Sequence, residues 1–229
     1  MESILISTSR FGTAIPDYFK YLGEEFNKNN FSVIFIFDGQ VKNIPSHKKN
    51  LKYFTYPNKR PTSFKDFIFL CEIIKKEKPI LCISNFGSTN IVTIASYIFK
   101  VSHRINYLHT SPNQLNLDSK RNLIYAWLLK QRKTLILKTN THVITNSNIM
   151  SKLIAKFFKI KKNKISVLPY LLEKSKNNYK PFEDRDFSIC IVGRLSFSKG
   201  HQDLLYAFND CKEKYPKLKL LIIGDGKEK

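Results

Sequence analysis

The sequence predicts an α/β protein built on a doubly wound, mostly parallel sheet. Short apolar runs alternate along the chain with segments in which apolar residues recur at helical spacing. Runs such as 33–37 are apolar throughout, which is typical of parallel strands that are covered on both faces. After a polar stretch at 173–186 the same alternation starts again, which predicts a second domain.

The first 170 residues contain six predicted strands joined by helices. The strands are 3–7, 33–37, 80–84, 104–109, 142–146 and 165–169, and the helices are 16–27, 63–76, 90–99, about 119–137 and 147–158. Ligands bind at the carboxyl ends of the strands in sheets of this kind. The residues that follow the strands are therefore candidates for a binding site: Gly12, 85–88, His109, Thr110, Asn146 and Ser147.

We predict a first domain at 1–172, a linker at 173–186 and a partial second domain at 187–229. The linker is polar and has no periodicity. The second domain begins with a strand at 187–192, a helix at 200–214 and a strand at 217–223, and we expect Leu204, Leu205, Phe208 and Cys211 to face inward. Two strands and one helix cannot cover both faces of a sheet, so this domain is expected to be a fragment.

The loop between the first strand and the helix of the second domain has the chemistry of a diphosphate site. Gly193 permits close backbone approach at the strand end, and Arg194 offers a planar set of donors. Lys199 adds a positive charge beside Gly200, where the helix N-terminus also favours anions. The alternative is an ordinary basic loop of a Rossmann-like domain.

The motifs G-R-L at 193–195, K-G at 199–200, L-L-Y-A-F at 204–208 and G-D-G at 224–226 resemble the donor-binding half of the family 4 glycosyltransferases. These enzymes have the GT-B fold, with two Rossmann-like domains. The resemblance implies that Arg194 and Lys199, with Gly193 and Gly200, bind the donor diphosphate. It also implies retaining transfer of a sugar from a UDP- or GDP-linked donor to a glycan or lipid-linked acceptor, in cell-surface polysaccharide synthesis and without a cofactor.

The same resemblance assigns roles in the first domain. It implies that Gly12 contacts the donor phosphate and that His109 is the catalytic residue at the reaction centre. Further candidates for the pocket are Thr110, Asn146, Ser147, Gly224 and Gly226. The alternative for His109 is a solvated or structural histidine, and the alternative for Ser147 is the N-cap of the helix that follows.

In family members, a pair of glutamates that meet the donor lies beyond the position of Gly226. The sequence therefore resembles an enzyme truncated within its donor-binding domain. The alternative to an active enzyme is an inactive fragment, or half of a split enzyme that needs a partner chain. This alternative predicts exposed apolar surface over 187–223.

The net charge of +21 indicates an affinity for polyanions without selecting one. A basic nucleic-acid-binding α/β protein is an alternative function, disfavoured because no nucleic-acid-binding motif is present. The segment Lys120–Lys138 combines basic residues (Lys120, Arg121, Lys130, Arg132, Lys133 and Lys138) with Trp127, which favours an anionic membrane surface. A core helix with Trp127 inside is the alternative.

No signal peptide and no membrane-spanning run is evident, so we expect a cytoplasmic protein, attached peripherally to the inner face of the cytoplasmic membrane. The motif D-x-D at 184–186 precedes an apolar strand and lies in a polar segment, so we attribute it to chance. The cysteines (Cys71, Cys82, Cys190 and Cys211) are scattered and are expected to be buried, reduced thiols. No metal site is predicted.

Overall fold

The structure, a computed structural model, describes residues 1–38, 44–112, 123–171, 179–226 and 228. These residues form two compact units, the first up to residue 171 and the second from residue 179 on. Part of the predicted linker, 173–178, lies outside the described residues. The predicted limits 1–172, 173–186 and 187–229 therefore stay predictions.

The first unit is built on a parallel sheet. Its described strands are β1 (Ser3–Ser9), β2 (Ser32–Asp38), β3 (Leu51–Thr55), β4 (Leu81–Ser84), β5 (His103–Leu108), β6 (His142–Thr145) and β7 (Ile165–Val167). They lie in the order β3-β2-β1-β4-β5-β6-β7, and every pair is parallel. The strand order reverses between β1 and β4, which confirms the predicted doubly wound sheet and locates its switch point.

Strand β3 has no counterpart among the predicted strands. It lies at one edge of the sheet, where Leu51 pairs with Val33 of β2. Only one of its faces is well covered, so buried Leu51 and Tyr53 alternate with the less buried Lys52 and Phe54. A five-residue strand that includes a lysine lacks the continuous apolar run by which the central strands were predicted.

Five described helices connect these strands: α1 (Ala14–Lys28), α2 (Phe64–Glu77), α3 (Thr89–Ile98), α4 (Leu123–Lys138) and α5 (Asn148–Phe158). Local signals fix several of their ends. Ser63 and Asp66 form a capping box at the start of α2, and the Ser147 hydroxyl accepts the Met150 N–H at the start of α5. Left-handed residues, Lys78 and Lys159, end these two helices.

The two faces of the sheet are buried in separate apolar cores. On one face Leu5 and Ile34 pack with α2 and α3, and on the other Ile4 and Phe35 pack with α1. This pattern follows from the period of two along a strand, which sends successive side chains to opposite faces. Helix α1 packs closely on β2 at Gly23, where an added Cβ would lie 2.3 Å from the Phe35 ring.

The second unit contains the parallel strands β8 (Ser188–Val192) and β9 (Lys219–Ile223) and the helix α6 (His201–Lys214). This confirms the predicted strand–helix–strand order. Its helix has no buried residue, and the expectation that Leu205 and Cys211 face inward is wrong, since both are exposed. Leu204 and Phe208 are half-buried.

Apolar side chains on β8 and β9 are exposed. Val192 is 73% exposed, Leu221 49% and Ile223 54%. The expectation of exposed apolar surface over 187–223 is therefore confirmed for the second unit as described. Buried Leu218 is the exception.

Candidate functional site

At the carboxyl edge of the first unit's sheet, His109 lies directly after β5 within a group of aromatic rings. Its imidazole stacks on Phe86 at 4.8 Å and on Tyr107 at 4.9 Å between ring centroids. Its Nδ1 is hydrogen-bonded to the hydroxyl of Tyr170. The interpretation of His109 as a solvated histidine is therefore wrong, because its ring is packed on several sides.

This packing determines the charge of His109. Burial lowers the pKa of His109 to about 4, so the imidazole is neutral at pH 7. With Nδ1 engaged by Tyr170, Nε2 is buried and has no hydrogen-bond partner among the described residues. A neutral imidazole with one unused nitrogen is suited to bond a substrate hydroxyl.

Two further buried polar groups at this edge, Thr8 and Asn85, lack partners. Both residues are fully buried, and the Thr8 hydroxyl and both amide atoms of Asn85 make no hydrogen bond to the residues that the structure describes. The register Ser7–Ser84 brings the two residues to neighbouring positions on adjacent strands. Unpaired buried polar groups are rare and often mark a binding site. Thr8 was missed because nothing in the sequence distinguishes it.

The turn from Asn85 to the start of α3 connects this edge to Asp38, a half-buried acid. Phe86 has a positive φ of 52°, which is costly for a residue other than glycine. The Gly87 N–H donates to Asp38 Oδ2 at 3.2 Å, so Asp38 supplies an acceptor close to the N-terminus of α3. Burial raises the pKa of Asp38 to about 7. Asp38 is also a residue that sequence reasoning missed.

The other candidates in the first unit are less closely associated with His109. Gly12 has a φ of 103°, is exposed, and donates its N–H to Asp17 at 2.8 Å. Thr110 is exposed and Asn146 is half-buried. Ser147 caps α5, as its alternative interpretation proposed. The functional roles of these four residues stay predictions.

In the second unit the predicted diphosphate loop brings the Lys199 side chain close to Gly193. The Gly193 N–H donates to the Ile223 carbonyl at 2.9 Å, and the Lys199 side chain lies 3.9 Å from the Cβ position of Gly193. Gly200 has a φ of 70° and is the N-cap of α6. Arg194 and Lys199 are exposed and form no ion pair within the described ranges.

Close backbone contacts give the two glycines after β9 a structural role. A Cβ on Gly224 would lie 1.8 Å from the Gly193 carbonyl oxygen, and one on Gly226 would lie 2.1 Å from the Leu195 carbonyl oxygen. Gly226 forms a parallel bridge with Leu195. These glycines therefore allow the segment after β9 to pack on the diphosphate loop, and their predicted contact with a ligand stays untested.

The described residues contain no group of three or more His, Cys, Asp or Glu that could hold a metal ion. Asp184 and Asp186, the ends of the D-x-D motif, are exposed. Cys82 is buried and Cys71 is half-buried, but the expectation of buried thiols is wrong for Cys190 and Cys211, which are exposed. The unit that contains them buries little surface.

Helix α4 presents apolar and basic side chains without an acidic residue. Trp127 is 57% exposed and Leu135 is 66% exposed, so the alternative of an inward-packed tryptophan is wrong. Among the basic residues of this segment, Lys120 and Arg121 lie outside the described residues. Within the described ranges, no helix has both the length and the apolar content to cross a membrane.

Sequence comparison connects the chain to one family. Residues 173–229 match the family described as glycosyl transferases group 1. An uncharacterized glycosyltransferase of Methanocaldococcus jannaschii is 27% identical over 174 residues, which cover 70% of this chain and 43% of that protein.

Solved structures show the same fold. The lipopolysaccharide outer core galactosyltransferase WaaB matches with a TM-score of 0.61 and 19% identity over 100% of this chain and 62% of that one. Sucrose-phosphate synthase of Thermosynechococcus elongatus matches with a TM-score of 0.67 and 15% identity, over 97% of this chain and 62% of that one. Anabaena HepE, solved with UDP and glucose, matches with a TM-score of 0.58 and 12% identity, over 97% of this chain and 61% of that one.

The chain thus spans less than two thirds of the length of these relatives. The matches agree with the parallel sheet of the first unit and with the glycine-rich basic loop of the second. Residues 173–229 are thus similar to the group 1 glycosyltransferases, and the chain shares the fold of the solved glycosyltransferases that it matches.

Proposed function

We propose that the second unit binds the diphosphate of a nucleotide-sugar donor, UDP- or GDP-linked, for transfer of the sugar to an acceptor. The observation that carries this proposal is the loop with Arg194 and Lys199, which presents two exposed cations and the N-terminus of α6. Neither cation is paired with a carboxylate of the residues that the structure describes. Charge-assisted bonds of this kind neutralise a departing nucleoside diphosphate. The relative solved with UDP supports the choice of donor class.

Calorimetric titration of the chain with UDP and GDP tests this assignment. Arg194→Ala is expected to weaken the preferred nucleotide about 10- to 100-fold, because bonds to charged groups contribute about 1.5–3 kcal/mol. Arg185→Ala is the matched control, since Arg185 is exposed in the same unit and donates to the Lys180 carbonyl. Equal dissociation constants for both variants and the parent chain would refute the assignment.

For the first unit we propose that the His109 edge binds the reacting sugar and the acceptor. The neutral imidazole of His109 is suited to hydrogen-bond a sugar hydroxyl through Nε2, with Tyr170 holding its orientation. The proposed reaction retains the configuration at the transferred carbon. His109→Ala is expected to lower turnover more than it weakens UDP binding, and a variant with full turnover would exclude this role.

We further propose that the acceptor is a glycan or lipid-linked glycan of a cell-surface polysaccharide, reached at the inner face of the cytoplasmic membrane. The support is the exposed set Trp127, Leu128 and Leu135 beside Arg132 and Lys138. Aromatic and basic residues together suit an anionic interface.

Vesicles of phosphatidylcholine, with and without phosphatidylglycerol, test this surface. Trp127 is the single tryptophan, so its emission is expected to shift to the blue only with the anionic vesicles. Leu135→Gln is expected to weaken vesicle binding, whereas Ile149→Gln, which changes an exposed apolar residue of α5, is the control. Binding to RNA with no preference for anionic vesicles would favour the nucleic-acid alternative instead.

A further inference from the structure

Lys133 of α4 is a largely buried cation, and no carboxylate of the described residues neutralises it. Its Nζ donates to Thr89 Oγ1 at 2.6 Å and to Asn90 Oδ1 at 3.0 Å, and both partners are neutral oxygens. The ion pairs within the described ranges are Lys28–Glu25 and Lys52–Glu77, and neither involves Lys133.

This arrangement is costly if the amine keeps its charge. Removing an ammonium group from water without an opposite charge is strongly unfavourable, and the group responds by losing its proton more readily. Burial, with a smaller effect of the Arg132 charge, lowers the pKa of Lys133 to about 7. Asp38, the nearby acid at this turn, accepts from Gly87 and is not paired with Lys133. An arriving anion would provide the missing charge.

The position of Lys133 connects it to the His109 edge. Thr89, which accepts from Lys133, donates its own hydroxyl to the Phe86 carbonyl at 3.3 Å. The Phe86 ring in turn stacks on His109. Thr89 and Asn90 also form the first turn of α3, a ten-residue helix whose N-terminus favours negative charge.

We propose that Lys133, with Thr89 and Asn90, binds a phosphoryl group of the acceptor, so that this chain glycosylates a phosphorylated acceptor. This inference rests on the proposed function for the acceptor side and adds the chemical class of the substrate. A phosphoryl group matches the site because Lys133 is a point charge that keeps one N–H donor beyond its two hydrogen bonds, and the amide nitrogen of Asn90 beside it adds neutral donors.

Lys130 is the matched control on the same helix. Its Nζ lies over the Phe157 ring at 4.2 Å from the centroid, so its charge is already stabilised by a cation–π contact. It lies three residues before Lys133, and its partner is on α5 instead of α3. Lys130→Met and Lys133→Met therefore remove the same charge from two different surroundings.

The test is NMR titration of the chain with methyl phosphate, inorganic phosphate and UDP, observing the lysine side-chain signals. The Lys133 signal, assigned by its loss in Lys133→Met, is expected to shift saturably with methyl phosphate. Lys133→Met is expected to weaken methyl phosphate at least 10-fold, consistent with the loss of a charged hydrogen bond. Lys130→Met should bind methyl phosphate as the parent chain does, and both variants should retain UDP binding.

Methyl phosphate binding that survives in Lys133→Met would overturn the proposal, as would a site that takes inorganic phosphate and not the ester. A parallel loss of UDP binding in Lys133→Met would assign the residue to the donor and would also overturn it. Failure of UDP to bind the parent chain would instead count against the donor assignment. If Lys133→Met does not fold, Lys133→Gln and Thr89→Val give the same comparison.

Discussion

Replacing Thr8 by valine is expected to stabilise the first unit. Thr8 is fully buried in β1, and its hydroxyl has no hydrogen-bond partner among the described residues. Valine has the same shape and branching, and it has no group that needs a partner. The substitution therefore removes an unsatisfied polar group and leaves the packing in place.

The magnitude follows from a comparison with Thr93, an equally buried threonine whose hydroxyl is satisfied. Thr93 Oγ1 donates to the Thr89 carbonyl at 2.7 Å and accepts from Asn106 Nδ2 at 3.0 Å. An unsatisfied buried group costs about 1–3 kcal/mol, so Thr8→Val should raise the free energy of unfolding by about that amount. Thr93→Val should lower it by a similar amount, because it leaves the amide of Asn106 without this bond.

Urea unfolding, followed by far-UV circular dichroism and by the emission of Trp127, measures both variants. With a slope of about 2 kcal/mol/M, a change of about 1–3 kcal/mol moves the midpoint by roughly 0.5–1.5 M. We expect the midpoint to rise for Thr8→Val and to fall for Thr93→Val. A lower midpoint for Thr8→Val would show that its hydroxyl makes a stabilising bond, and the reasoning about the unpaired groups at this edge would be refuted.

Three other variants test packing and charge in the first unit. Gly23→Ala should lower the urea midpoint of unfolding, because the added Cβ would lie 2.3 Å from the Phe35 ring and overpacking of this kind costs about 1–3 kcal/mol. For so severe a contact this cost should exceed the roughly 1 kcal/mol that alanine gains over glycine in a helix. A higher midpoint would contradict this expectation. Asp38→Asn should stabilise the folded protein at pH 8 by up to about 4 kcal/mol and should not stabilise it at pH 4. The reason is that a carboxyl whose pKa is raised to about 7 destabilises the folded protein as the pH rises from 4 to 7. A gain in stability that does not depend on pH would exclude this titration. His109 should give the opposite pH dependence of stability, because its pKa, lowered to about 4, costs up to about 3 kcal/mol of stability as the pH falls from 7 to 4. His109→Gln should flatten this dependence. An imidazole of His109 that titrates near about 6.5 by NMR would disprove the prediction.

Much of the first unit could be predicted because its central strands are apolar on both faces. The runs at 3–7 and 33–37 are strands in the structure, and the helices between them follow the apolar spacing. The edge strand β3 was missed, since a strand covered on one side needs few apolar residues. The inward side of α6 was predicted from its leucines, yet Leu205 is exposed, because periodicity indicates which residues share a face without showing that anything covers it.

Some residues of the candidate site could be predicted from the sequence, and others could not. Gly193, Arg194, Lys199 and Gly200 form a local motif, so their proximity could be predicted from spacing alone. Asp38 and Lys133 acquire their properties from distant partners: Asp38 contacts Gly87, 49 residues away, and Lys133 contacts Thr89, 44 residues away. The sequence contains 39 Lys and Arg residues, and nothing in it indicates that Lys133 is largely buried without a carboxylate partner among the described residues.

The close approach of Gly224 to Gly193 limits which positions of the proposed donor site can vary during evolution. No side chain fits at Gly224 or Gly226, since a Cβ would fall within about 2 Å of a carbonyl oxygen at either position. On the proposed function, changes of nucleotide or sugar preference therefore arise at neighbouring positions that tolerate side chains, such as Arg194, Ser196 and Ser198. In a library that randomises 193–200 and 224–226, we expect variants with new donor preference to retain both of these glycines and to differ at 194–198.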